Sequence, residues 1–297
     1  YIACQEGHIE IVKLLLNDER VDINKTNKNE ATPFYITCSK GHIEIVKLLL
    51  SDNKVDINKA RNDGYTPFSI ACLKGKVEIV KLLLDDKRVD INKANNDGAT
   101  PLYIACEKGH LEIVILLLNH EKIDINKTDS DGWTPFYIAC YEGHTEIVKL
   151  LLSDNRVDIN KVDNYGITPF MSVCRKGHIE IVKLLLNDIR VDINKGNNDE
   201  FTPFLVACYC GYIEVVKLLL NDNRVEINKT IEYDMTPFLI SCYKGDIEIV
   251  KLLLNDNRID INQAMNSGET PFWIACKNGN IEIVKYLLAC GREIDIN

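Results

Sequence analysis

The sequence repeats itself every 34 residues along its length. Each Thr-Pro pair is followed, at a constant distance, by EIVKLLL or a close copy of it. A fixed period of roughly 20 to 50 residues is typical of proteins built from stacked units that pack only on their neighbours. We therefore expect one repeat array, although a chain of 297 residues would otherwise suggest about two globular domains. The pairs begin at Thr32, Thr66, Thr100, Thr134, Thr168, Thr202, Thr236 and Thr270.

Residues 60–93 show how one repeat is expected to fold. An Asn-Asp-Gly turn at 62–64 precedes Thr66, which with the following proline suits the start of a short helix that ends at Gly75. A second helix, apolar over most of its circumference, is predicted at 77–84. Helices this short are marginal alone, so their stability must come from the repeats on either side.

The repeated motif resembles the ankyrin repeat. It reads D-G-x-T-P-F-x-I-A-C-x-x-G-H-x-E-I-V-x-L-L-L followed by D-I-N, and it recurs in nine copies over the whole chain. The resemblance implies an all-α ankyrin-repeat solenoid of stacked helix pairs with short hairpin loops, which binds proteins and has no chemistry of its own. The period of 34 exceeds the family's 33, because the loop at 17–21 and its equivalents carry one more residue. The histidine of the family's T-P-L-H motif, which helps to brace the hairpin, is replaced here, so that bond is in doubt.

The period predicts a single array over residues 1–297. Both ends fall inside a repeat, and neither shows a clear polar capping repeat, so we expect the chain to be part of a longer array or a larger protein. The predicted units are a truncated repeat at 1–25 and full repeats at 26–59, 60–93, 94–127, 128–161, 162–195, 196–229, 230–263 and 264–297.

Charge and hydropathy restrict the partner and the compartment. The net charge of −9 and the pI near 5.3 argue against a general nucleic-acid or anionic-membrane surface, which needs clustered cations. We find no signal peptide and no apolar run of about 18 residues. The sequence therefore predicts a soluble, cytoplasmic protein in a reducing compartment, without nucleic-acid binding or membrane insertion.

Nine of the eleven cysteines follow the repeat. In stacked helices about 10 Å apart, equivalent positions lie beyond the roughly 7 Å Cα limit for a disulfide. We therefore predict reduced, apolar core residues at nine positions and more exposure at Cys210 and Cys290, which break the pattern. The nine are Cys4, Cys38, Cys72, Cys106, Cys140, Cys174, Cys208, Cys242 and Cys276.

The sequence contains only partial matches to catalytic and metal-binding motifs. A His-x-Glu pair, part of a zinc-deaminase signature, begins the second helix of several repeats, but the P-C-x-x-C element of that signature is missing. Cys208-x-Cys210 is too tight for a zinc pair. We predict structural roles for the histidines, no catalytic or metal site, no cofactor and no enzyme activity. The pairs are His8-Glu10, His42-Glu44, His110-Glu112, His144-Glu146 and His178-Glu180.

Function is expected where the copies differ. The residue before Thr-Pro and the one near the end of the first helix vary strongly, and in ankyrin repeats both places lie on the concave face that contacts targets. Here the middle copies carry large apolar and aromatic side chains, which are typical of interface hot spots. The predicted partner-binding residues are Tyr65, Leu73, Trp133, Tyr141, Ile167, Arg175, Phe201, Tyr209, Met235 and Tyr243.

These features favour a non-enzymatic interaction scaffold that presents a concave groove to a protein or peptide. The main alternative is a structural or elastic spacer that connects flanking domains, or the cytosolic array of a larger channel or enzyme. Neutral drift among duplicated copies would also place apolar residues at variable positions. The sequence leaves open the partner, and whether the chain is a monomer or pairs with a second copy.

Overall fold

The computed structural model describes residues 1–296, with the backbone alone at Tyr233. Its regular structure is helical, apart from an isolated bridge between Ile231 and Met235, which confirms the predicted all-α class. A 3-10 helix, Glu232–Asp234, lies between these two residues. The eighteen α-helices of the described residues are α1 Ile2–Glu6, α2 Ile9–Leu16, α3 Pro33–Lys40, α4 Ile43–Leu50, α5 Pro67–Leu73, α6 Val77–Leu84, α7 Pro101–Glu107, α8 Leu111–Leu118, α9 Pro135–Glu142, α10 Thr145–Leu152, α11 Pro169–Lys176, α12 Ile179–Leu186, α13 Pro203–Cys210, α14 Ile213–Leu220, α15 Pro237–Lys244, α16 Ile247–Leu254, α17 Pro271–Lys277 and α18 Ile281–Ala289.

The chain forms two compact units, Tyr1–Asp158 and Ile159–Asn297. In each unit the odd-numbered helix of one repeat packs on the odd-numbered helix of the next, and the even-numbered helices stack in the same way. Each helix pair also packs on itself. The core of each unit is therefore a row of equivalent side chains, such as Phe34 and Phe68 in the first unit and Phe204 and Phe238 in the second, which are all about 1% exposed.

Threonine caps fix where the first helix of a repeat begins. In every Thr-Pro pair the threonine hydroxyl accepts the backbone N–H three residues later at 3.0–3.2 Å, and proline occupies the first helical turn. These threonines are buried. An N-cap bond of this kind contributes about 1 kcal/mol. The predicted helix starts are therefore confirmed.

The asparagine of the D-I-N motif links each repeat to the next. Asn92 donates its amide to the Lys122 carbonyl at 2.7 Å and accepts the Asp124 N–H at 2.9 Å, so one side chain satisfies both a donor and an acceptor of the following loop. The same pair of bonds recurs in the other copies and pins neighbouring loops together within each unit. The asparagines are Asn24, Asn58, Asn92, Asn126, Asn160, Asn194, Asn228 and Asn262.

The extended loop between repeats carries an arginine that caps the preceding repeat. Arg258 donates to the Leu220 carbonyl at the end of α14 at 2.6 Å, where a cation also complements the helix dipole. It is held by Asp256 at 2.6 Å, and this guanidinium lowers the pKa of the Asp256 carboxyl. Arg88, Arg156 and Arg224 make equivalent contacts with Leu50, Leu118 and Leu186.

The asparagine links yield a stability prediction. Asn92→Ala removes both bonds to the next loop, and we expect the free energy of unfolding to fall by about 1–2 kcal/mol because each bond contributes about 1 kcal/mol net. Urea denaturation measures this change in the free energy of unfolding. Asn119→Ala, at an exposed helix end, is the matched control and should change stability by less than about 0.5 kcal/mol. Equal effects of the two substitutions would contradict the proposed links.

The hairpins yield a second stability prediction. Glu200 has a φ of 64°, in the left-handed region where the equivalent Gly166 has a φ of 77°. Because this conformation costs an L-residue roughly 1–2 kcal/mol, Glu200→Gly should raise the free energy of unfolding by up to about 1 kcal/mol. Gly166→Ala should lower it by more, since its Cβ would also lie 2.8 Å from the Asn198 backbone nitrogen. Thermal melts of both variants check the opposite signs, and a Glu200→Gly variant that melts earlier would contradict the strain.

Candidate functional site

The variable residue before Thr-Pro is held in place by an Asx turn. In the hairpin of Trp133, the Asp129 carboxylate accepts the backbone N–H groups of Asp131 at 3.0 Å and of Trp133 at 2.8 Å. Asn and Asp side chains stabilise turns in this way. The same pair of bonds forms at Asn27, Asn95, Asp163 and Asn197. A rigid turn therefore presents Trp133, Ile167 and Phe201 at fixed positions.

Trp133 belongs to an aromatic cluster in the first unit. Its ring stacks on Tyr137 and is tilted against Tyr141, with 4.8 Å between ring centroids in both pairs. Trp133 and Tyr141 are half-buried, whereas Tyr137 is buried. Aromatic pairs of this geometry add roughly 0.5–1.5 kcal/mol beyond burial. The tryptophan thus packs on its own repeat through one face and leaves part of its surface accessible.

An apolar groove lies in the second unit. Its volume is about 400 Å³, and hairpin residues and first-helix residues of three consecutive repeats line it. Two of its tyrosines are well exposed, Tyr209 at 46% and Tyr243 at 56%. The groove brings together four predicted site residues, Phe201, Tyr209, Met235 and Tyr243. The complete lining is Phe201, Tyr209, Met235, Leu239, Ile240, Tyr243, Met265, Glu269, Ile274 and Lys277.

Cations lie on aromatic rings at this groove. The Lys244 ammonium is 4.4 Å from the centroid of the Tyr209 ring, and the Lys277 ammonium is 4.5 Å from that of Trp273. Such contacts contribute roughly 0.5–1 kcal/mol at exposed sites. They orient both rings and place positive charge beside the apolar lining.

The other six predicted site residues are not part of the groove lining. Tyr65 and Leu73 are half-buried in the first unit, two repeats before Trp133, and the repeat between them has Ala99 and Glu107 at the equivalent places. Ile167 and Arg175 belong to the second unit, half-buried and exposed respectively, and lie outside the groove lining. Four of the ten predicted residues therefore share the groove.

Sequence reasoning missed part of the lining. Glu269 and Lys277 occupy the two variable positions but were not selected, because they belong to the last repeat and the prediction was restricted to the middle copies. Met265 stands where five other repeats have the Asn or Asp of the turn, and that departure was a usable signal. Ile240 and Ile274 lie inside helices, at positions that the repeat pattern assigns to the core.

The sequence did not show which side chain braces the hairpin. In part of the first unit a tyrosine does so. The Tyr1 hydroxyl accepts the Asn27 amide at 3.0 Å. The Tyr103 hydroxyl bonds the Asp129 turn carboxylate, and burial first and then this carboxylate raise the pKa of Tyr103. In the second unit Leu239 occupies the same position and lines the groove instead.

The histidines join neighbouring repeats. Nε2 of His42, His110 and His144 lies 3.0–3.2 Å from the backbone carbonyl of residues 5, 73 and 107, near the end of the first helix one repeat earlier. The structural role predicted for these three is confirmed. Within residues 1–296, no three His, Cys, Asp or Glu side chains are grouped so as to hold a metal ion. No helix in the same range is long and apolar enough to cross a membrane.

Eight of the nine repeated cysteines are buried as predicted, and the prediction is wrong for Cys276. Cys276 is exposed because α17 packs on α15 and α18, and within the described residues no further repeat follows to cover its other side. Cys210 is exposed and Cys290 half-buried, as expected. Burial raises the pKa of the core thiols, including Cys38, and keeps them protonated and unreactive.

Thiol labelling tests this arrangement. We expect a thiol reagent to modify Cys210, Cys276 and then Cys290 in the folded protein, whereas the eight buried thiols should react only in denaturant. Counting labels by mass spectrometry over time gives both populations. Cys210→Ser with Cys276→Ser should remove two labels and leave the one at Cys290, and any further label on this folded variant would contradict the burial of the other cysteines.

A model of ankyrin repeats (3 copies) matches the chain at residues 1–95, 87–163, 155–231 and 224–297. These ranges cover the whole chain, so the resemblance seen in the sequence is confirmed. No curated protein matches the chain.

Proposed function

Because the chain belongs to the ankyrin-repeat family, whose members are generally protein-protein interaction modules, we propose that it is a non-enzymatic scaffold with its main binding site in the groove of the second unit. The observation that supports this is the exposure of Tyr209 and Tyr243, at 46% and 56%, in a mainly apolar lining. Exposed aromatic side chains at the edge of an apolar depression are typical of interface hot spots.

The remaining predicted residues form part of the proposal. Trp133 and Tyr141 are proposed as a second contact surface, since one half-buried ring pair is already ordered and would lose little entropy on binding. Tyr65 and Leu73 are proposed to extend it in the first unit. Ile167 and Arg175 are proposed to contact a partner in the second unit. The repeat boundaries given above remain proposals as well.

Further observations support the proposal that the chain has no enzyme activity. Ankyrin-repeat proteins are typically binding modules. His42, His110 and His144, which precede second helices, bond backbone carbonyls, and burial raises the pKa of the core thiols, which supports structural roles for these groups. Free cysteines throughout the described chain also favour a reducing, cytoplasmic location.

Peptide selection tests the groove. A random displayed-peptide library is panned on the chain, and the affinity of the enriched peptides is measured by fluorescence anisotropy. Tyr209→Ala with Tyr243→Ala should weaken binding at least tenfold, because truncation of two hot-spot tyrosines typically costs about 1–2 kcal/mol each. The melting temperature should change little, since both rings are exposed.

Tyr165→Ala is the matched control. Tyr165 lies in the same unit, is 68% exposed and is outside the groove lining. It should leave the affinity unchanged. Binding that resists the double substitution in the groove, or that depends on Tyr165 instead, would reject the groove and favour the spacer role.

A further inference from the structure

The hairpin stretches of the second unit carry acidic charge, and one of these acidic residues lines the groove. The three stretches 196–201, 230–235 and 264–269 contain no lysine or arginine. Asp199, Glu200 and Glu232 are exposed, and Asp234 and Glu269 are half-buried. Glu269 is itself part of the groove lining.

The ends of the first helices in the second unit carry positive charge, and one of these lysines lines the groove. The last two residues of α11, α13, α15 and α17 include Arg175, Lys176, Lys244 and Lys277 and no acidic residue. Lys277 lines the groove, and Lys244 lies over the ring of Tyr209, which also lines it. In the first unit the equivalent positions carry both signs.

The acidic residue that follows Tyr243 on the helix side has a different role. Asp246 accepts the Ile249 N–H at 3.1 Å and caps α16, so its carboxylate is directed to the helix N-terminus. The groove of the second unit is therefore apolar along its floor, acidic along the hairpins and basic along the helix ends.

We propose that the groove binds an amphipathic helix with a stripe of large apolar side chains, basic residues along one flank and acidic residues along the other. This inference rests on the proposed function. Opposite charge on the two sides requires a partner with three parallel rows of side chains, one basic, one apolar and one acidic. A helix can present an apolar row with two polar flanks, whereas a strand presents only two faces. Residues from three repeats, with about 10 Å between neighbours, span about 20 Å, which corresponds to a helix of about 13 residues.

Synthetic helices of about 16 residues test the charge pattern. One peptide has a leucine stripe with lysines on one flank and glutamates on the other, and a control peptide of the same composition carries both charges on each flank. We expect the sorted peptide to bind about tenfold more tightly at 0.1 M salt, because several rim ion pairs of modest strength add together. The preference should shrink at about 1 M salt, where the Debye length is only about 3 Å. Circular dichroism checks that both peptides have the same helicity.

A variant pair makes the test specific to the groove. Lys244→Glu with Lys277→Glu turns both sides acidic, and it should lose the preference for the sorted peptide and instead prefer a peptide with lysine on both flanks. Lys217→Glu with Lys251→Glu makes the same charge change on the second helices, outside the groove, and should keep the preference.

The outcomes separate the two proposals. Equal affinity for sorted and mixed peptides, with binding that Tyr209→Ala and Tyr243→Ala abolish, would overturn the charge-sorted partner and leave the groove as a binding site. Peptide binding that these tyrosine substitutions do not change would overturn both the partner and the site.

Discussion

Contact between successive repeats is the interaction on which the structure depends. No helix of the described chain exceeds nine residues, and helices of that length are marginal alone in water. Each is stabilised because the next repeat of its unit covers its apolar face, as the exposed Cys276 shows where no described repeat follows. Polar contacts reinforce the same interface, through the asparagine of each D-I-N motif, the histidine at the start of the second helix and the arginine of the loop.

Much of the fold could be predicted from the sequence because its signals are local and repeated. Thr-Pro marks a helix start by a side-chain bond that spans three residues, and the apolar period marks the stacked faces. The inter-repeat bonds could not be predicted in the same way. Asn92 bonds residues that lie 30 and 32 positions away, and a single sequence gives the recurrence of such an asparagine without its partner.

The candidate site was only partly predictable for a related reason. Variable positions showed where packing imposes little constraint, and this found Tyr209 and Tyr243. It did not show which variable residues meet, since Trp133 contacts Tyr137 and Tyr141 within its own repeat. It also left out Lys277 because this residue belongs to the last repeat, although the lysine lies at the groove over an aromatic ring.

The groove of the second unit arises where the polar brace of the hairpin has been exchanged for apolar contact. In the first unit Tyr103 bonds the turn carboxylate of Asp129, which fills the space between the hairpin and the helix with a satisfied polar pair. In the second unit Leu239 and Met265 stand at the equivalent positions, and both line the groove. An apolar pair needs no directional partner, so it leaves a surface that another apolar side chain can cover favourably. The hairpin at Met265 keeps its backbone bond from the Met265 N–H to the Glu269 carbonyl, at 3.0 Å. The same substitutions that remove a brace from the fold therefore create the surface on which we expect a partner to bind.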